Sequence, residues 1–180
     1  RDGVALTKFL YWIKNNKSKT LSEISASNYL DNLRTKNKNF FSLSFPTIAG
    51  SGPNGAIVHY RASKKSDRKI NDDDLFLVDS GAQYFDGTTD VTRTIAFNKV
   101  TKEQIKMYTL VLKGHIAVAL STFSEKENGK LLDKNARKFL KKEKCNFDHS
   151  TGHGVGSFLN VHENPPSISP LSRYKFKKGM

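Results

Sequence analysis

Hydrophobic and polar residues follow a helical period at the start of the chain. Residues 2–16 and 21–37 both repeat apolar side chains about one helical turn apart. Thr20 or Ser22 stands where the second segment needs a cap for its first free N–H groups. The pattern therefore predicts two helices before any strand.

The spacing between apolar residues then shortens, as is typical of strands, and later returns to the helical spacing. Residues 40–63 hold two short apolar runs around a Gly- and Pro-rich stretch, which predicts strand, loop, strand. Residues 72–97 alternate like a hairpin that turns near Asp86-Gly87. Helices are predicted again over residues 101–123 and 129–144, followed by Gly-rich residues 149–166. The order predicts one unit of helix pair and strands that is used twice, the second time with fewer strands.

The composition indicates a folded domain. The chain has 180 residues, 37% of them hydrophobic, with 12 Phe and 6 Tyr, which is typical of a folded domain and not of a disordered one. It has neither an apolar run long enough for a membrane span nor a secretory leader, so we expect no membrane partner. A single cysteine, Cys145, fits a reducing compartment, and we expect a cytoplasmic location.

The net charge of +13 could favour an anionic partner such as nucleic acid. However, the lysines are scattered over expected turns and solvent-facing helix positions, and none of them forms part of a nucleic-acid-binding motif. The pattern indicates a solvated basic surface and predicts no specific nucleic-acid partner.

Two aspartates stand in the predicted hairpin "VDSGAQYFDGTTDVTRT". Its midpoint falls at Tyr84 and Phe85, so a bulged hairpin would set Asp79 opposite Asp90 on one face. Two facing carboxylates repel each other unless a divalent cation lies between them. The alternative is that Asp79 caps a turn and Asp90 is solvated; the hairpin pattern alone leaves both interpretations open.

Histidines form the second candidate site. His149, His153 and His162 fall within fourteen residues, and glycines surround His153, as is typical where backbone approaches a ligand closely. His59 is expected to end the strand after the "SGPNG" loop, where a side chain can face a cleft. His115, on a predicted helix, is interpreted as structural.

Four segments carry a resemblance to a known family: "FPTIAGSGPNGAIVHYRA", "LFLVDSGAQYFDGTTDVTRTIAF", "YTLVLKGHIAV" and "STGHGVGSFLNVHENP". In this order they resemble the catalytic domain of the Xaa-Pro aminopeptidases (aminopeptidase P), in the pita-bread metallopeptidase family. The likeness extends over essentially the whole chain. It implies the α+β pita-bread fold, which is built from two pseudo-symmetric halves.

The resemblance also implies a chemistry. Members of the family carry two divalent cations, commonly Mn²⁺, and the matching positions would make Asp79, Asp90 and His153 metal ligands. His59, His149 and His162 match histidines that line the substrate pocket and transfer protons or position the scissile peptide. The implied substrate is a peptide with proline at its second position.

This sequence departs from the family pattern at its end. The family's ligand set includes two glutamates that follow the equivalent of Gly179-Met180, and they lie outside these residues. We therefore expect residues 1–180 to be a partial catalytic domain, without its upstream domains and C-terminal strands. We expect it to bind two metals weakly and to be inactive alone, and a homodimer is one assembly that the full-length protein could form.

Two alternatives remain open. A prolidase-like dipeptidase would use the same fold and site. A metal-free binding module of the histone-chaperone or RNA-associated type would use the fold alone, but such a module has no need of Asp79, Asp90 and His153 together.

Overall fold

The computed structural model describes residues 1–16 and 20–180. These residues divide into two compact units. The first unit comprises Arg1–Val100 with Val155–Val161, and the second comprises Thr101–Gly154 with His162–Met180. The chain therefore leaves the second unit for seven residues and then returns to it.

The first unit begins with the two predicted helices, α1 (Asp2–Asn15) and α2 (Glu23–Thr35). The capping residue of α2 is Ser22, whose hydroxyl accepts a hydrogen bond from the backbone N–H of Ser25. The apolar stripes of both helices are buried, with Phe9 and Leu30 fully inaccessible. Amphipathic spacing and a local cap are sufficient to explain both helices.

An antiparallel sheet covers the buried side of these helices. It consists of β1 (Phe40–Ser51), β2 (Leu75–Tyr84), the short β3 (Gly87–Thr88) and β4 (Val91–Ala96), with β2 paired to all three others. Alternate β2 residues Phe76 and Val78 lie in the core formed with α1 and α2. The residues between them face the opposite side of the sheet, where a site can be built.

One predicted strand is wrong. After β1 the chain forms a short 3₁₀ helix (Gly52–Ala56) and then a turn closed by a hydrogen bond from the Tyr60 N–H to the Ile57 carbonyl. His59 therefore does not end a strand; it lies in this turn with φ at 56°. Apolar Ile57 and Val58 resemble a strand in sequence, but both are exposed.

A buried ion pair joins the two helices to the sheet. The Arg34 guanidinium near the end of α2 donates two hydrogen bonds, at 2.8 and 3.1 Å, to the Asp2 carboxylate at the start of α1. The Tyr84 hydroxyl at the end of β2 donates a third hydrogen bond to Asp2 at 2.7 Å. Arg34 is fully buried, so this charge depends on its partners.

The second unit repeats the helix pair with fewer strands, as predicted. It contains α3 (Lys102–Ala119), α4 (Gly129–Lys142) and a two-stranded sheet of β5 (Gly152–Gly154) and β6 (Glu163–Ile168). The α+β class is confirmed. The repeat is also visible in detail, because the cap of α2, Ser22, bridges to Lys69, and the cap of α4, Asn128, bridges to Lys175.

No helix in the described ranges is both long and apolar enough to cross a membrane.

Candidate functional site

The two aspartates lie on the face of the sheet that is turned away from the core, but they are not directly opposite each other. Asp79 pairs with Thr92, and the same register continues to Gln83 and Thr88, which places Asp90 opposite Gly81. The predicted bulge is absent from this pair of strands; the register shifts occur in β1 instead. Because the offset is two residues, Asp90 keeps the same face as Asp79, as a diagonal neighbour.

The Asp79 carboxylate lies in surroundings where its negative charge is costly. One of its oxygens, Oδ1, is buried without a hydrogen-bond partner. Burial raises the pKa of Asp79 above its ordinary value; a hydrogen bond from Thr92 opposes this rise, and the charge of Asp90 adds to it. A buried carboxylate with an unpartnered oxygen beside a second carboxylate fits a divalent cation, which would bind both.

His59, in the turn after the 3₁₀ helix, influences this carboxylate through its charge. Burial is the main influence on the pKa of Asp79 and raises it, whereas the positive charge of His59 lowers it. This effect requires the imidazole to be near the carboxylate. That His59 shares a cleft with Asp79 and Asp90 stays a prediction, and the residue lies in a turn where a strand was expected.

The remaining candidate histidines belong to the second unit. His153 lies in β5 and packs edge-on against His162, with ring centroids 4.3 Å apart. A side chain at Gly154 would come within 2.6 Å of the Glu163 carbonyl, so this residue must be glycine for β5 to pair with β6. The structure thus brings His153 and His162 together, as the sequence predicted.

His149 lies in the loop that joins α4 to β5. Its ring stacks on Phe147 with centroids 4.8 Å apart, and its backbone carbonyl accepts a hydrogen bond from the buried Arg137 at 2.7 Å. Arg137 also lies over the Phe147 ring and pairs with Asp133, one helical turn before it. The sequence analysis overlooked this arginine, although a four-residue Asp-to-Arg spacing on a helix was a usable signal.

Residues 155–161, which belong to the first unit, are tied to its hairpin. The Phe158 N–H donates a hydrogen bond to the Thr88 hydroxyl at 3.0 Å, and Gln83 donates to the Leu159 carbonyl. The Phe158 ring packs against Phe41 and Phe85, with centroids 5.2 and 5.5 Å away. The segment between the two paired histidines is thus held at the tip of the hairpin.

Within residues 1–16 and 20–180, no three His, Cys, Asp or Glu side chains form a group that could hold a metal ion. The two carboxylates are therefore the part of the predicted ligand set that the structure brings together. A joint site of Asp79, Asp90 and His153 stays a prediction. Sequence reasoning also missed Thr92, whose strand position opposite Asp79 depends on the register and carries no local signal.

Comparison with known sequences places the chain in a family. Residues 1–180 match Metallopeptidase family M24. The chain is 51% identical over 177 residues to a probable Xaa-Pro aminopeptidase P of Paracoccidioides brasiliensis, with 97% of this chain and 29% of that protein covered. It is 48% identical to the probable Xaa-Pro aminopeptidase P of Aspergillus fumigatus, of which it covers 27%. The chain therefore spans under a third of these relatives.

Solved structures agree with this result. An X-prolyl aminopeptidase from Caenorhabditis elegans, described as a cytosolic enzyme with a di-nuclear active site, superimposes with a TM-score of 0.91 at 41% identity, covering 96% of this chain and 29% of that one. A prolidase from Pyrococcus furiosus superimposes with a TM-score of 0.85 at 29% identity, covering 98% and 50%. The pita-bread fold and the predicted resemblance are confirmed, and the chain belongs to metallopeptidase family M24.

Proposed function

We propose that the protein to which these residues belong is a metallo-aminopeptidase. It releases the N-terminal residue from peptides that carry proline at the second position. The observation that carries the proposal is the pair of carboxylates on one sheet face, with Asp79 Oδ1 buried and unpartnered. A protein that only bound partners through its surface would gain nothing from this costly arrangement.

The metal ligands on this chain would be Asp79, Asp90 and His153, and the proposed metals are two divalent cations, most simply Mn²⁺. When bound, such a pair activates a water molecule and polarises the peptide carbonyl. The three ligands supply only two negative charges, so we propose that two glutamates outside residues 1–180 complete the set. Thr92, through its hydrogen bond to Asp79, holds that carboxylate in place.

The proposed catalytic residues are His59, His149 and His162. An imidazole can accept or donate a proton near neutral pH, and its two nitrogens can also orient a substrate carbonyl. In His149, Nδ1 lies 2.8 Å from the Ser150 carbonyl, which holds the ring and leaves Nε2 for a substrate. A proline at the second position offers no N–H, so these histidines would have to position the peptide through its carbonyl groups.

We further propose that residues 1–180 are part of a larger catalytic domain in a cytoplasmic enzyme that can form a homodimer. The low coverage of the relatives supports the first part. The description of the worm enzyme as cytosolic supports the location.

Calorimetric titration with Mn²⁺ and an assay on an Xaa-Pro-Xaa tripeptide test the proposal. The wild-type protein in its natural length should bind two Mn²⁺ and cleave the tripeptide, and Asp79→Asn should lose both properties. Asp86→Asn is the matched control, because Asp86 is an exposed carboxylate in the same hairpin that forms an ion pair with the exposed Arg1. It should bind metal and cleave like the wild type.

A second candidate follows from the similarity to prolidases, which are similar over 98% of this chain. An Xaa-Pro dipeptide distinguishes the two activities: preferential cleavage of the dipeptide over the tripeptide would favour a prolidase. Full metal binding by Asp79→Asn, or no metal binding by the wild type, would refute the metal site itself.

A further inference from the structure

A buried carboxylate outside the proposed metal site accepts hydrogen bonds from four residues that lie far from it in the sequence. Glu23 is fully buried at the start of α2, where the positive end of the helix dipole favours its charge. Its Oε1 accepts hydrogen bonds from the Ser51 N–H at 2.7 Å and the Asn54 side chain at 3.0 Å. Its Oε2 accepts from the Tyr60 hydroxyl at 2.8 Å and the Arg68 N–H at 3.0 Å.

Three of these donors lie within or directly before residues 52–60, which we call the His59 loop. Ser51 precedes the loop, Asn54 lies within its 3₁₀ helix, and Tyr60 ends it with a buried ring. Asn54 also donates to the Tyr60 hydroxyl at 2.8 Å, which ties the two anchors to each other. Both ends of the loop are therefore fixed to one carboxylate.

His59 lies between these anchors in an unfavourable backbone conformation. Its φ of 56° falls in the left-handed region, which residues with a Cβ rarely adopt. Such a conformation persists only where the surrounding contacts determine it. The His59 side chain is exposed, and the residues before and after it in the loop are anchored to Glu23.

We propose that Glu23 is a positioning residue that holds His59 toward the Asp79 carboxylate. Its recorded hydrogen bonds include none to Asp79 or Asp90, so its proposed effect on the site passes through the His59 loop. The inference rests on the proposed role of His59 in the substrate pocket, but its physical part, that Glu23 fixes the loop, stands independently of any activity.

The test uses Glu23→Gln, which keeps the size of the side chain. A glutamine has only one acceptor oxygen. Its NH₂ group would face N–H and O–H groups that donate hydrogen bonds to the carboxylate in the wild type. Glu103→Gln is the matched control, because it removes the same charge from the first turn of α3, where the side chain is exposed.

The first readout is amide hydrogen exchange, which requires no metal and no substrate. The Ile57 and Tyr60 amides hydrogen-bond within the loop, and in Glu23→Gln they should exchange on the order of tenfold faster. The amides of β2 report global opening, and any increase there is subtracted. Unchanged loop exchange after this correction would overturn the inference.

The second readout is a double-mutant cycle on the turnover of the tripeptide. If Glu23 acts through His59, His59→Ala should lower kcat, Glu23→Gln should lower it partly, and the double variant should lose no more than His59→Ala alone. Additive losses would mean that Glu23 has a general structural role and would refute the positioning role. Mn²⁺ binding should stay unchanged in Glu23→Gln, because neither aspartate touches it.

These readouts also separate this inference from the proposed function. If the wild type cleaves no Xaa-Pro peptide, the proposed function fails, whereas the exchange result still decides whether Glu23 fixes the loop.

Discussion

The buried pair of Arg34 and Asp2 makes a sharp stability prediction. Arg34→Met keeps an unbranched side chain with high helix propensity but removes the cation that pairs with Asp2. The remaining carboxylate would then accept hydrogen bonds only from uncharged donors such as the Tyr84 hydroxyl, in a buried site. Breaking a buried pair from one side costs about 3–5 kcal/mol, which is a large share of the roughly 5–15 kcal/mol that stabilises a typical domain.

Urea unfolding followed by tryptophan fluorescence is the assay. Trp12 is the single tryptophan, and its ring stacks on Tyr29 with centroids 3.7 Å apart, so its emission reports the packing of α1 on α2. Asp86→Asn, which breaks the exposed pair with Arg1 in the same unit, is the control and should change stability little. A double variant, Asp2→Leu with Arg34→Met, should recover much of the loss, because neither charge is then left unpaired.

The same pair predicts a pH dependence with a definite sign. Burial alone would raise the pKa of Asp2, but hydrogen bonds and charge from Arg34, together with the Tyr84 hydroxyl, outweigh it and hold the pKa below its ordinary value. The contribution of Asp2 is therefore complete above the ordinary aspartate pKa of about 3.9 and is lost as the pH falls through the folded value. A loss below about 1 kcal/mol in Arg34→Met, or an unchanged acid limb in Asp2→Leu with Arg34→Met, would refute this reasoning.

Four further predictions concern the candidate site. Asp79→Asn should stabilise the metal-free protein at neutral pH, measured by thermal unfolding with a chelator present, because the burial that raises the pKa of Asp79 makes its charge costly; a lower midpoint would contradict this. Arg137→Lys should leave the loop before β5 more open to proteolysis, since one ammonium cannot bond Asp133 and the Phe147 and His149 carbonyls together; unchanged cleavage would argue against it. Phe158→Ala should cost roughly 1–3 kcal/mol in the urea assay by removing a ring from the cluster with Phe41 and Phe85, and no shift would mean that the cluster contributes nothing. A chain of residues 1–180 should bind Mn²⁺ more weakly than the natural-length protein and show no turnover, and equal activity would show that three ligands suffice.

The helices could be predicted closely because their causes are local. Residues 2–16 and 21–37 were predicted as helices, and the structure gives Asp2–Asn15 and Glu23–Thr35. Amphipathic spacing and the Ser22 cap both act within a few residues, and a sequence shows them directly. The repeat of helix pair and strands was visible for the same reason.

The pairing of the hairpin could be predicted only in part. The sequence indicated a turn near Asp86, and Tyr84 does pair with Gly87 across it. A two-residue turn with no bulge puts Asp79 opposite Thr92, whereas the bulge that would have set it opposite Asp90 depends on contacts between strands. Asp79 and Asp90 nevertheless share a face, because side chains two residues apart along a strand point to the same side of the sheet.

The strand predicted over Ile57 and Val58 failed for a long-range reason. Two β-branched residues in a row are typical of a strand, but the chain here is held as a turn by Glu23, which lies more than thirty residues earlier. The donors to Glu23 are Ser51, Asn54, Tyr60 and Arg68, all far from it in the sequence, and no local pattern predicts their convergence. The role of Glu23 in fixing the His59 loop could therefore not be predicted from the sequence.

The excursion of residues 155–161 into the first unit has a consequence for how the protein can be divided. The chain passes between the units after Val100, after Gly154 and after Val161, so no single cut separates them. A fragment that ended at Val100 would lack Phe158 and would leave the exposed rings of Phe41 and Phe85 without it. During synthesis, the first half of the repeat is therefore complete only after residue 161 has been added. The two halves are not independent modules of the chain.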